Sequence, residues 1–152
     1  MKVETLGELL ALTRDSHHQL SERLADSARG QPESTTRWLM EYAAEREAEM
    51  TQRVDDLMRR TDSNVLKTWV YEWLQHPHAD PQRIEHTAFG EMDFAEISEA
   101  LFSVHNELMD LYRQLFTRAD IDEAHAVVDE ILQLEEGRSR QMAQQVNRIR
   151  DM

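Results

Sequence analysis

At 152 residues, with 40% hydrophobic and 31% charged side chains, the chain is sized for one domain with a sizeable core. Its 30 acidic against 17 basic residues leave a net charge of −13, which argues against partners rich in phosphate, whether nucleic acid or an anionic membrane. With no cysteine, disulfides, thiolate nucleophiles and cysteine-held zinc or iron–sulfur clusters are excluded, and 4 Gly and 3 Pro are too few for a sandwich of short strands.

The N-terminal residues offer no apolar run of export length, and no stretch approaches the ~18–20 apolar residues of a membrane span. A cytoplasmic protein is expected. Helical spacing of apolar residues begins with Leu6, Leu9, Leu10, Leu20 and Leu24, opened by a Thr5/Glu8 capping pair and closed by Gly30 and Pro32. This predicts a first helix over about residues 6–28. A second, over about residues 35–60, carries Leu39, Met40, Met50, Val54 and Leu57. Val65, Leu66, Trp69, Val70, Trp73 and Leu74 predict a short, broadly apolar helix over about residues 64–75. His76-Pro77-His78-Ala79-Asp80-Pro81 then cannot continue a helix and starts a long connection.

Asp93 and Glu96 form another capping pair, with Met92 and Ile97 placed as a hydrophobic staple. The helix they open runs over about residues 93–119, and Asp120/Glu123 opens a last one over about residues 121–150. Four long amphipathic helices with short first and last connections and a long middle one describe an all-α four-helix bundle with a crossover. The expected organisation is a single helical-bundle domain over 1–152.

An internal repeat points the same way. With His17 laid on His105, Leu6, Leu9, Leu20 and Leu24 fall on Phe94, Ile97, Leu108 and Tyr112. With Arg46 laid on Arg138, Leu39, Met50, Val54 and Leu57 fall on Ile131, Met142, Val146 and Ile149. Each core stripe is interrupted near its midpoint by a polar residue, so His17, Arg46, His105, Glu135 and Arg138 are expected to form a polar layer inside an apolar bundle.

In its crossover, its duplicated hairpin and the level of that layer, the chain resembles the ferritin-like superfamily, especially its rubrerythrin-type branch. The resemblance implies two hairpins, each supplying a Glu and a Glu-x-x-His to a pair of iron or manganese ions. The matching positions here depart from that pattern. They read Glu135-Glu136-Gly137-Arg138 on the last helix and Ala43-Ala44-Glu45-Arg46 on the second, with His17 and His105 at the places of the other glutamates. Arginine is always charged and has no lone pair for a metal. The expectation is therefore a lost two-metal centre without metal, overwritten by ion pairs in which Arg46 and Arg138 meet Glu135, Glu45 or Glu49.

Alternatives stand beside it. His17 and His105 read first as satisfied core histidines; the alternative, with Glu45 and Glu135, is as ligands of iron or manganese in an oxidase, a peroxide-reducing or a metal-handling protein. Glu49 and Glu107 are further carboxylates within reach of such a site. Arg46 and Arg138 could instead lean along their helices to water and leave the layer without guanidinium groups. A third role for the pair is to bind a small anion. His76, His78 and His86 read as a solvated connection rather than a surface metal site. The apolar excess of Trp69, Val70, Trp73 and Leu74 suggests an interface and, with it, a homodimer.

Overall fold

The computed structural model describes residues 1–74 and 77–151, the side chains of Trp73, Ala119 and Asp120 excepted. The elements run β1 Lys2–Thr5, α1 Leu6–Ala28, α2 Ser34–Arg60, α3 Ser63–Leu66, β2 Trp69–Trp73, α4 Pro81–Glu85, α5 Phe94–Phe116 and α6 His125–Arg150. Short 3-10 turns at Phe89–Glu91 and Ala119–Ala124 precede α5 and α6. The four long helices α1, α2, α5 and α6 form the bundle, and everything between α2 and α5 is crossover. None of the described helices is long and apolar enough to cross a membrane.

Local chemistry sets the helix starts. Thr5 accepts the Glu8 N–H at 3.1 Å, while Glu8 reaches back to the Glu4 N–H at 2.8 Å. Asp93 and Glu96 close a full capping box, at 2.8 Å and 3.1 Å. Helix α2 is capped by Glu33, whose carboxylate takes the N–H groups of Thr35 and Thr36. Helix α6 begins four residues late for an Asp120 cap: a 3-10 turn comes first, Ile121 leaves helical geometry, and no side chain caps the helix at Ala124. The Asp120 side chain lies outside the described residues.

The segment expected as a helix over 64–75 is corrected. One helical turn, Ser63–Leu66, gives way to β2, which pairs antiparallel with β1 in the register Val3 to Glu72. A short run of aromatic and β-branched residues suits either state by periodicity, and the partner strand at the N-terminus decides it. Val70 points into the core beside Val3, while Trp69 and Tyr71 face outward at 56% and 48% exposure. Tyr71 sits at φ 41°, a left-handed conformation that a bulky side chain adopts only under constraint; the pairing with β1 slips in register between Val3 and Thr5.

The rest of the crossover is tied down at both sides. The carboxylate of Glu107 on α5 accepts the N–H groups of His78 and Ala79 at 3.0 Å and 2.8 Å, and Ser16 on α1 donates to the Ala79 carbonyl. His78 and His86 are exposed, and His76 lies outside the described residues. Inside the bundle the apolar residues form two separate clusters. One gathers Leu6, Leu9, Met50, Val54, Tyr112 and Ile131; the other gathers Leu20, Leu24, Leu39, Ile97, Leu108 and Met142. A polar layer divides them.

Candidate functional site

Each long helix delivers one side chain to the gap between the clusters: His17 from α1, Glu47 from α2, His105 from α5 and Glu135 from α6, none more than 4% exposed. Their polar atoms meet in a chain. His105 Nε2 lies 2.5 Å from Glu47 Oε1, Glu47 Oε2 meets His17 Nδ1, and His17 Nε2 lies 2.7 Å from Glu135 Oε1. A carboxylate only accepts, so the ring nitrogens donate, and His17, engaged on both, is an imidazolium between two carboxylates.

The electrostatics follow from that arrangement. Burial disfavours a charged imidazole, but the charges of Glu135 and Glu47, and the bonds to them, outweigh it and hold His17 well above 6.5. Burial likewise favours a protonated Glu47, yet His105 and His17 prevail and hold its carboxyl down at about 2. Two turns along α5 from His105, Tyr112 stays a neutral phenol, pushed up chiefly by burial against the lowering effect of Thr13, with Glu135 adding to the rise. Its hydroxyl lies 2.6 Å from Thr13 Oγ1.

The layer is not the one expected from the sequence. His17, His105 and Glu135 lie in it, but Glu47 takes the place assigned to Arg46. Arg46 is one residue, or about 100° of helix, away from the inward direction. It is 33% exposed, pairs with Glu49 at 3.2 Å and lies against the Tyr42 ring. Arg138 reaches outward along α6 to Glu49 at 2.9 Å and is 20% exposed. The two arginines thus share a carboxylate at the rim instead of entering the centre. Glu45, the carboxylate weighed as a ligand, is 76% exposed and faces Arg46. Glu107 is occupied by the crossover backbone.

A signal for Glu47 was present. His17 and His105 stand 88 residues apart, and so do Glu47 and Glu135. A hairpin duplicated without insertion needs one offset throughout, whereas laying Arg46 on Arg138 requires a different one. On the single offset the second helix reads Glu47-Ala48-Glu49-Met50 against Glu135-Glu136-Gly137-Arg138. Each begins with a carboxylate and has no histidine three places on, Met50 and Arg138 standing there.

The pseudo-symmetry is incomplete at one point. His17 bonds a carboxylate from each hairpin, whereas His105 bonds only Glu47. Its Nδ1 is buried with no hydrogen-bond partner among the described residues. Beside it, bounded by Glu47, Glu135, Arg46 and Arg138, is a cavity of about 10 Å3, the size of one water. Of the residues proposed as an interface, Val70 is spent in the core, Leu74 is half-buried against it, and the Trp73 side chain lies outside the described residues. Trp69 remains exposed, stacked on Tyr71 at 5.9 Å.

No protein-family profile matches the sequence, and no curated protein does. A solved structure does match: a protein of Thermotoga maritima provisionally described as a ferritin-like diiron-carboxylate protein, with a TM-score of 0.60. Sequence identity is 10%, and the alignment covers 94% of this chain and 95% of that one. The chain is an all-α bundle of ferritin-like fold.

Proposed function

We propose, from that fold and this centre, that the protein is a non-catalytic ferritin-like bundle in which a buried His–Glu ion-pair network stands where a two-metal carboxylate centre would lie. Its role is structural or interactive. The observation that carries the reading is His17, whose imidazolium bridges a carboxylate from each hairpin. The donor set supports it. A two-metal centre of this architecture draws on four glutamates and two histidines, enough negative charge to offset two divalent ions. Here two glutamates and two histidines face the centre, and the histidine positions of the two Glu-x-x-His sets hold Met50 and Arg138. Two divalent ions would leave excess positive charge buried between two apolar clusters, which costs several kcal/mol.

The test is metal loading. Protein exposed to excess ferrous or manganous ion and then desalted is expected to retain less than two equivalents per chain. Two equivalents, with consumption of oxygen or peroxide, would overturn the proposal in favour of an iron or manganese enzyme. The proximity of His17, Glu47 and His105 is what favours that second reading, and its ligand set would contain Glu47 rather than Glu45. A homodimer belongs to the proposal too. Trp69 and Tyr71 offer a stacked aromatic surface for it, and sedimentation as a monomer at tens of micromolar would remove it.

A further inference from the structure

We infer that the cavity beside His105 is the site of one structural water, which bridges His105 Nδ1 to Glu135 and accepts a hydrogen bond from Arg46 Nε. The inference rests on the reading above, because it completes an ion-pair network and not a two-metal centre. The pseudo-two-fold exchanges His17 with His105 and Glu47 with Glu135, each pair 88 residues apart. It carries the bond between His17 Nε2 and Glu135 onto the one between His105 Nε2 and Glu47, and both are made. It carries the contact of His17 Nδ1 with Glu47 onto a contact of His105 Nδ1 with Glu135, and only the first of these is made directly.

Three polar groups are left over around that gap. His105 Nδ1 has no partner among the described residues, although the residue is only 4% exposed. Glu135 gives Oε1 to His17, and its other oxygen enters no hydrogen bond among the described residues. Arg46 pairs through its outer nitrogens with Glu49 and Glu45, while its Nε is buried and unpaired. His105, Glu135 and Arg46 all border the same cavity of about 10 Å3. A buried water needs about that volume and two to four polar partners, and both conditions are met.

The hydrogens fit one arrangement. A guanidinium only donates and a carboxylate only accepts. His105 Nε2 donates to Glu47, which leaves Nδ1 to accept. A water that accepts from Arg46 Nε–H has two hydrogens to give, one to Nδ1 and one to Glu135. The chain of bonds then closes into a ring of His17, Glu47, His105, water and Glu135, and the same water joins this ring to the rim through Arg46. The walls select water over an ion: Glu47 and Glu135 repel an anion, while Arg46 and Arg138 repel a cation.

The experiment is a high-resolution crystal structure of the full-length protein, grown with chelator and with bromide as the anion. One peak without anomalous signal is expected, within ~2.7–3.2 Å of His105 Nδ1, Glu135 and Arg46 Nε. Histidine nitrogen-15 spectra at neutral pH should show His105 protonated on Nε2 alone, and a proton on Nδ1 would overturn the inference. In solution, oxygen-17 relaxation dispersion of water should give a residence time about 10-fold shorter in Arg46→Met, which loses one donor, and unchanged in Arg138→Met. Equal residence times in the parent and Arg46→Met, or an equal fall in both variants, would overturn the part given to Arg46 and the inference with it. A bromide signal at the peak, a direct bond from Glu135 to Nδ1, or no peak would overturn this inference and leave the loss of the two-metal centre standing. Two metal ions held at the centre despite chelator would overturn both.

Discussion

Replacing Glu47 by glutamine separates a buried network from a surface one on the same helix. Glu47 is 2% exposed and accepts hydrogen bonds from His105 and His17. Glutamine keeps the shape and one acceptor oxygen, but its NH2 group then opposes an imidazole N–H. One bond is lost, and His17 keeps Glu135 as its sole counter-charge. A charge-assisted bond contributes ~1.5–3 kcal/mol, and breaking a buried pair on one side costs ~3–5 kcal/mol. We expect a loss of about 4 kcal/mol for Glu47→Gln, which in a domain of this size lowers Tm by about 10 °C. Glu49→Gln removes a carboxylate that is 44% exposed and paired with Arg46 and Arg138. That change should cost under ~1 kcal/mol, because solvent screens the pair. Urea unfolding at neutral pH with chelator present measures both. Similar costs for the two variants, or less than ~1 kcal/mol for Glu47→Gln, would refute the placement of Glu47 at the centre. Replacing all four central residues with leucine should recover stability to within ~2 kcal/mol of the parent, because desolvation disappears together with pairing.

Two further outcomes are expected. In chelator, stability should be greatest between about pH 4.5 and 6.5. Glu47, held down at about 2, contributes fully above 4.5 and loses its contribution as pH falls toward 2. His17, held well above 6.5, contributes fully below 6.5 and loses its contribution as pH rises through its folded value. Urea midpoints taken across pH should show both limbs, each flattened in Glu47→Gln. Separately, Glu107→Ala should speed amide exchange at His78 and Ala79 and cost about 1–2 kcal/mol, since both N–H groups lose their acceptor. Unchanged exchange at those two amides would show that the crossover is held by other contacts.

Much of the architecture was legible in the chain itself. The apolar stripes of the four long helices, the Asp93/Glu96 box and the uninterruptible length of the crossover are local or periodic features, and they need no partner to be read. His17, His105 and Glu135 were legible because each interrupts, near its midpoint, a stripe that is otherwise mostly apolar. Two things were decided only by tertiary structure. Trp69–Trp73 is a strand because Lys2–Thr5, far away in sequence, lies alongside it to satisfy its backbone. Without that partner, a short apolar run carries no preference strong enough to choose. Arg46 and Glu47 are adjacent on a helix whose apolar residues tolerate a shift of one position. The choice between them comes from the other helices, which bring two imidazoles to that level and so bind the carboxylate inward and leave the guanidinium to Glu49 and water.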